Sequence, residues 1–180
     1  MLKKLMDIHS KLANGKVIFS LLFLFLLANF IVIQAIYPKF QTLDTLSSYT
    51  PDKAFQLISS YGEQGRQYYA MIEVTLDLVY PLVTALMFSL IIFYTFKRAF
   101  PSHSWTLYLS LAPYFALLAD YLENACIVSM LLIYPREPVL LAQISNFLTI
   151  AKFSLAPLQL LFVVGLIGWL VQTIRSKRSK

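Results

Sequence analysis

Five ionisable side chains lie inside long apolar stretches of this sequence: Glu73, Asp77, Asp120, Glu123 and Lys152. An ionisable group at membrane depth costs at least about 2.5 kcal/mol, and by default it marks a functional site. Four acids beside one lysine can present a protonated carboxyl group next to a carboxylate. Acid–base chemistry and proton coupling both need that arrangement, and the same groups suit a cationic ligand.

The spacing of polar residues in three of these stretches predicts one shared site. In each stretch they recur at intervals of three or four, which places them on one face of a helix. The three faces carry Glu73, Asp77 and Tyr80; Asp120, Glu123 and Asn124; and Asn146, Thr149 and Lys152. A tight Pro-Arg-Glu-Pro connection makes the last two stretches antiparallel neighbours, so we expect Lys152 to pair with Asp120 or Glu123.

We assign roles on this basis. The candidate catalytic or proton-handling groups are Asp77, Asp120 and Glu123. The candidate ligand-binding residues are Glu73, Tyr80, Asn124, Asn146, Thr149 and Lys152, with the lysine as counter-ion. No cofactor is expected. A metal is disfavoured because His9 and His103 lie outside the apolar stretches, where we expect both to be solvated.

The composition differs from that of soluble domains and of disordered chains. Of the 180 residues, 58% are hydrophobic and 13% are charged, whereas soluble domains have roughly 45–50% and 25%. This composition argues against a soluble globule. Disorder is excluded, because 15% of the residues are aromatic.

Four apolar stretches are long enough to cross a bilayer, which takes roughly 20 residues. They cover residues 17–37, 69–96, 106–134 and 139–172, and none has the alternating pattern of a barrel strand. The predicted fold is an all-α integral membrane protein with a four-transmembrane-helix bundle at residues 17–172. Pro81, Pro113 and Pro157 interrupt the last three spans and favour a cavity, because each frees a backbone carbonyl.

The basic residues predict the topology. Most of them lie in an amphipathic tail at 1–16, in the connection at 97–98 and in a basic tail at 173–180. The positive-inside rule then places both termini in the cytoplasm, in the inner membrane if the host is a bacterium. The net charge of +6 is explained by this topology and needs no nucleic-acid partner.

The outer loop at 38–68 contains one good helix start, Thr50-Pro51-Asp52, and Gly62 ends that helix. We expect a short amphipathic cap on the outer face, with an ordinary ordered loop as an equal alternative. Aromatic residues near the span ends, Tyr69 and Phe96 among them, are expected to form an interfacial belt. Gly165 and Gly168 are expected to allow close helix contact.

Four helices, cytoplasmic termini, an ordered outer loop and carboxylates in the middle spans loosely resemble the emopamil-binding (EXPERA) group. That resemblance is one of layout, and it implies a membrane cavity for sterol-like ligands. It carries no residue role to this chain.

The sequence leaves three functions open. The first is a buried carboxylate/lysine site that binds a small lipidic or cationic amphiphilic ligand among membrane lipids; whether the ligand is transformed, moved or only held is undecided. The second is a proton-coupled transporter of a small solute, which would act as a homodimer because four helices are few for transport. The third is a structural subunit or assembly factor whose buried charges hold helices together.

Overall fold

The computed structural model describes residues 2–178, without the side chains of residues 2, 3, 5, 31–33, 35 and 178. The protein is 82% helical, and no strand occurs in the described range. The helices are α1 (Leu2–Leu12), α2 (Gly15–Leu27), α3 (Gln34–Ile36), α4 (Pro51–Ser60), α5 (Gly62–Glu73), α6 (Leu76–Ala99), α7 (Trp105–Ser110), α8 (Ala112–Ile133), α9 (Val139–Leu155) and α10 (Leu161–Arg178). A π-helical segment at Ala28–Ile33 and a 3-10 helix at Ala156–Leu160 complete the order.

Three helical stretches are long and apolar enough to cross a membrane: Gly62–Ala99, Trp105–Ile133 and Val139–Lys177. The count in the described range reaches four if Met6–Leu12 and Gly15–Phe30, which bend by 73° at their junction, form one span. These apolar helices are compatible with a membrane protein. The stretch predicted at residues 69–96 corresponds to Gly62–Ala99. It begins at Gly62 because the helical structure extends into polar residues that hydropathy does not mark.

The chain divides into two compact units. The first unit comprises Met1–Leu26, Val83–Phe115 and Leu155–Lys180, and the second comprises Leu27–Leu82 and Ala116–Ser154.

In the first unit, His9 corrects one expectation. Its side chain is buried rather than solvated. The ring Nε2 lies 3.3 Å from Ser89 Oγ, and the ring packs edge-on against Phe93. His9 therefore carries a contact between the amphipathic helix α1 and α6, whereas Ile8 and Leu12 of α1 are exposed.

Gly165 brings α10 close to α6 in the same unit. A Cβ atom there would overlap Thr95 Oγ1 and lie 2.7 Å from Phe96 Cδ2. At Gly168 an added Cβ would meet Ala99 Cβ at 3.1 Å. The expected role of both glycines in close helix contact is confirmed. Phe96 is buried in this contact, so its expected place in an interfacial belt is wrong.

The core of the second unit joins a folded loop to four helices. The loop, residues 37–50, is called here the 37–50 segment. The buried apolar cluster draws on this segment and on α4, α5, α8 and α9: Leu43, Tyr49, Ala54, Phe55, Ile58, Tyr69, Ala70, Ile127, Met130, Leu131 and Ala142. Tyr69 is fully buried here, which corrects its expected interfacial position.

The start of α4 follows the sequence. The Thr50 hydroxyl accepts a hydrogen bond from Lys53 N at 3.3 Å, and Pro51 occupies the first turn. Gly62 has φ +66°, a left-handed conformation that glycine adopts without steric cost. It separates α4 from α5, as expected.

We predict that Gly165→Ala destabilises the first unit by about 1–3 kcal/mol, because the new methyl group overlaps Thr95 and Phe96. Thermal unfolding in detergent measures this loss. Gly15→Ala is the matched control, since an added Cβ there meets nothing within 4 Å. Equal melting temperatures for both variants would show that α10 does not need this close approach.

Candidate functional site

Lys152 lies at the centre of a buried ionic group in the second unit. Its Nζ is 3.1 Å from Asp120 Oδ1 and 2.6 Å from Glu123 Oε2. The expected pairing of the lysine with one of these acids is confirmed, and it includes both. The other oxygen of Glu123 accepts a hydrogen bond of 2.5 Å from Thr149 Oγ1. We call Asp120, Glu123, Thr149 and Lys152 the lysine cluster.

The lysine cluster is fixed by the helices that carry it. Asp120 and Glu123 are one turn apart on α8, while Thr149 and Lys152 are one turn apart on α9. Residues three apart project from the same side of a helix. Glu123 and Thr149 are fully buried, and the Lys152 side chain is 17% exposed.

A second group of acids converges nearby in the same unit. One carboxylate oxygen from each of Asp44, Glu73 and Asp77 lies within 4.8 Å of the other two. We call these three residues the carboxylate cluster. Asp44 comes from the 37–50 segment, Glu73 is the last residue of α5, and Asp77 lies in the first turn of α6.

The oxygens of the carboxylate cluster differ in their partners. Asp44 Oδ1 accepts a hydrogen bond of 2.6 Å from Tyr69 Oη, and Oδ2 accepts one from the Tyr37 hydroxyl. Glu73 is 1% exposed, and neither of its oxygens has a hydrogen-bond partner among the described residues. Asp77 Oδ2 is likewise buried without one. Unsatisfied buried acceptors carry a desolvation cost of about 1–3 kcal/mol each, more when charged.

Backbone contacts hold Asp44 in place and link the two clusters. Tyr69 Oη accepts a hydrogen bond of 3.1 Å from Leu43 N, and Tyr61 Oη donates to Gln41 O at 2.8 Å. Lys152 Nζ donates to the backbone oxygen of Asp44 at 3.4 Å. The lysine and carboxylate clusters are therefore contiguous.

Asn124 joins the carboxylate cluster through the backbone. Pro81 lacks the N–H that would bond to Asp77 O within α6. Asn124 Nδ2 lies 3.4 Å from that oxygen and donates to it. The freed carbonyl was expected to line a cavity, but at Pro81 it faces this amide instead.

Two predicted ligand-binding residues make other contacts. Tyr80 Oη donates to Asn29 Oδ1 at 3.2 Å. Asn146 Oδ1 accepts a hydrogen bond of 2.7 Å from Tyr49 N, so it fixes the backbone of the 37–50 segment. Burial raises the pKa of Tyr49, whose neutral hydroxyl donates to Ser145 Oγ at 2.7 Å.

Sequence reasoning missed Asp44, Tyr37 and Tyr69 as members of the site. Asp44 lies in the outer loop, where no periodicity shows which way a side chain points. Tyr69 did carry a usable signal: it precedes Glu73 by one helical turn and so extends the polar face of Glu73 and Asp77.

No family model, curated protein or solved structure matches this chain. The resemblance of layout to the emopamil-binding group gains no support from these comparisons. The function must be argued from the two clusters themselves.

We predict that Tyr69→Phe loosens the 37–50 segment. The change removes a donor to the Asp44 carboxylate and an acceptor for Leu43 N, at a cost of about 1.5–3 kcal/mol. Hydrogen exchange should be faster in peptides covering residues 38–50. Tyr108→Phe removes the same atom from an exposed tyrosine and is the control. Unchanged exchange in the Tyr69 variant would contradict the proposed anchoring.

Proposed function

We propose that this chain is a four-span membrane protein that binds a small lipidic or cationic amphiphilic ligand at the lysine cluster, next to the carboxylate cluster. In this proposal both termini are cytoplasmic, and α4 with the 37–50 segment forms a cap on the outer face. The three apolar helical stretches and the bent α1–α2 pair support the span count.

The observation that carries the proposal is the free acceptor at Asp120. Its Oδ1 pairs with Lys152, but its Oδ2 is buried and has no hydrogen-bond partner among the described residues. A head group that donates a hydrogen bond or carries a positive charge would satisfy this oxygen. The gain is large for a buried carboxylate, because bonds to charged groups contribute about 1.5–3 kcal/mol.

The surroundings of Asp120 suit an amphiphile rather than a small polar solute. Leu118 and Leu122 of α8 project from the side of this helix opposite Asp120 and are 57% and 49% exposed, which indicates an apolar environment around α8. The side chain of Asp120 keeps 14% exposure although its Oδ2 is buried, so a head group that donates to Oδ2 would have to displace the side chains that cover this oxygen. An alkyl or sterol-like body would lie in this apolar environment while its head meets the acid.

Each residue then has a role in binding. Asp120 accepts from the head group, and Lys152 holds Asp120 and Glu123 in place. Asn124, which donates to Asp77 O, fixes α8 against the start of α6 within the second unit. Asp77 and Glu123 are the further groups that can hold or release a proton.

We predict that a small amphiphile co-purifies with the protein and is lost in Asp120→Asn. Native mass spectrometry of protein gently extracted from its own membrane measures this directly. Asp52→Asn, on the exposed side of α4, is the matched control and should retain the ligand. A ligand-free mass for the unmodified protein, or retention by the Asp120 variant, would rule out this binding site.

A structural role is the second candidate, and the double ion pair of Lys152 favours it. Removing one partner of a buried ion pair costs about 3–5 kcal/mol, because the remaining charge is left uncompensated. Lys152→Met should therefore lower the melting temperature under either function.

Exchanging the charges of Asp120 and Lys152 distinguishes ligand binding from a structural role. The double variant Asp120→Lys with Lys152→Asp keeps one ammonium group among two carboxylates, so we expect stability to recover in part relative to Lys152→Met. Recovery is incomplete because Glu123 loses its ammonium partner on α9. A binding site predicts that this variant still loses the co-purifying ligand. Recovery of stability with no ligand in either the original or the exchanged protein would favour the structural role.

A further inference from the structure

The three acids of the carboxylate cluster have no ammonium group from the described residues paired with their carboxylates, whereas the acids of the lysine cluster are paired with Lys152. Asp44, Glu73 and Asp77 bring three acids within 4.8 Å of one another. Like charges at such distances repel strongly where the dielectric constant is low. The nearby ammonium of Lys152 is already paired with Asp120 and Glu123, and it contacts Asp44 only through the backbone oxygen.

The carboxylate of Glu73 is buried in this cluster without a hydrogen-bond donor among the described residues. Its side chain is 1% exposed, and both oxygens lack a hydrogen-bond partner among the described residues. One of those oxygens is among the three that converge, so the side chain points into the cluster. Asp77 adds a further buried oxygen in the same condition, Oδ2.

We propose that Asp44, Glu73 and Asp77 form a binding site for a hard divalent cation of the Mg²⁺, Mn²⁺ or Ca²⁺ type. This site lies beside the amphiphile site and goes beyond it, because metal binding here needs no bound amphiphile. The three acids would each supply at least one oxygen to the ion.

The spacing of the oxygens fits such an ion. Metal–oxygen distances run from about 2.0 Å for Mg²⁺ to about 2.6 Å for Ca²⁺, so two ligands on opposite sides of an ion lie roughly 4–5 Å apart. The observed limit of 4.8 Å allows all three carboxylates to contact one central ion.

The donor set selects the class of metal. The three converging ligands are all carboxylate oxygens, which suit Mg²⁺, Ca²⁺ and Mn²⁺, whereas imidazole and thiolate suit zinc and copper. From the sequence, a metal site is disfavoured because the predicted spans contain no histidine. The absence of histidine disfavours zinc and copper, but it does not disfavour an ion that prefers oxygen ligands.

Tyr69 and Tyr37 act as positioning residues for this site. Their hydroxyls donate to the two oxygens of Asp44 and so fix the orientation of its carboxylate. Each carboxylate oxygen has a second lone pair, which remains available to an ion. Hydrogen bonds of this kind to a ligating carboxylate are typical of metal sites.

Metal binding is tested on the full-length protein, stripped with EDTA and reconstituted in nanodiscs of phosphatidylcholine, a zwitterionic lipid. Electron paramagnetic resonance follows the loss of the free Mn²⁺ signal during titration. We expect one Mn²⁺ bound per chain at about 100 µM free metal. We also expect Mg²⁺ or Ca²⁺ to displace it.

Glu73→Gln should weaken Mn²⁺ binding at least tenfold. Glu63→Gln makes the same change at an exposed position of the same helix, α5, and should leave binding unchanged. If Glu73→Gln does not fold, Asp77→Asn tests the same prediction. Asp120→Asn should keep Mn²⁺ affinity while losing the amphiphile, so the failure of one proposal is distinguishable from the failure of the other.

Two results would overturn the cation site. Absence of stoichiometric Mn²⁺ binding would mean that protons shared among the carboxyl groups, rather than a metal, offset their charge. Full Mn²⁺ affinity in both Glu73→Gln and Asp77→Asn would place the ion elsewhere.

Discussion

The polar interior of the second unit depends on the ammonium group of Lys152. It contacts Asp120, Glu123 and the backbone oxygen of Asp44, and thereby connects α8, α9 and the 37–50 segment. An ammonium buried among apolar helices has a desolvation cost of several kcal/mol unless partners surround it. The positions of these three elements are therefore mutually constrained, because each provides part of the same coordination.

The lysine cluster could be predicted from the sequence and the carboxylate cluster could not. A short connection makes α8 and α9 antiparallel neighbours, and helical periodicity then gives the face on which Lys152 meets Asp120 and Glu123. Asp44 follows no such rule, since its position depends on the irregular path of the 37–50 segment. That path is set by the burial of Leu43 and by the Tyr69 hydroxyl, which lies 25 residues further along the chain from Asp44.

His9 shows the same division between local and long-range information. Its sequence context predicts an amphipathic helix, and α1 is one. The residue that meets its ring, Ser89, lies 80 positions away, so no local pattern could indicate the contact. Hydropathy likewise located the apolar part of α5 and α6 but missed the polar turns that begin at Gly62. Proline gave partial information: Pro81 does free the carbonyl of Asp77, but only the fold shows that Asn124 binds it.

The two clusters differ in charge, and that difference determines what each can bind. With all groups ionised, two carboxylates and one ammonium leave the lysine cluster at −1, whereas three carboxylates leave the carboxylate cluster at −3. One hydrogen-bond donor or a single positive head group is enough for the first, while the second needs a divalent ion or protons. Because Asp44 lies on the 37–50 segment and contacts Lys152 through its backbone, an ion at the carboxylate cluster would hold that segment against α5 and α6. The same ion would thereby restrain the chain segment next to Lys152, so the two sites share one structural element without sharing a ligand group.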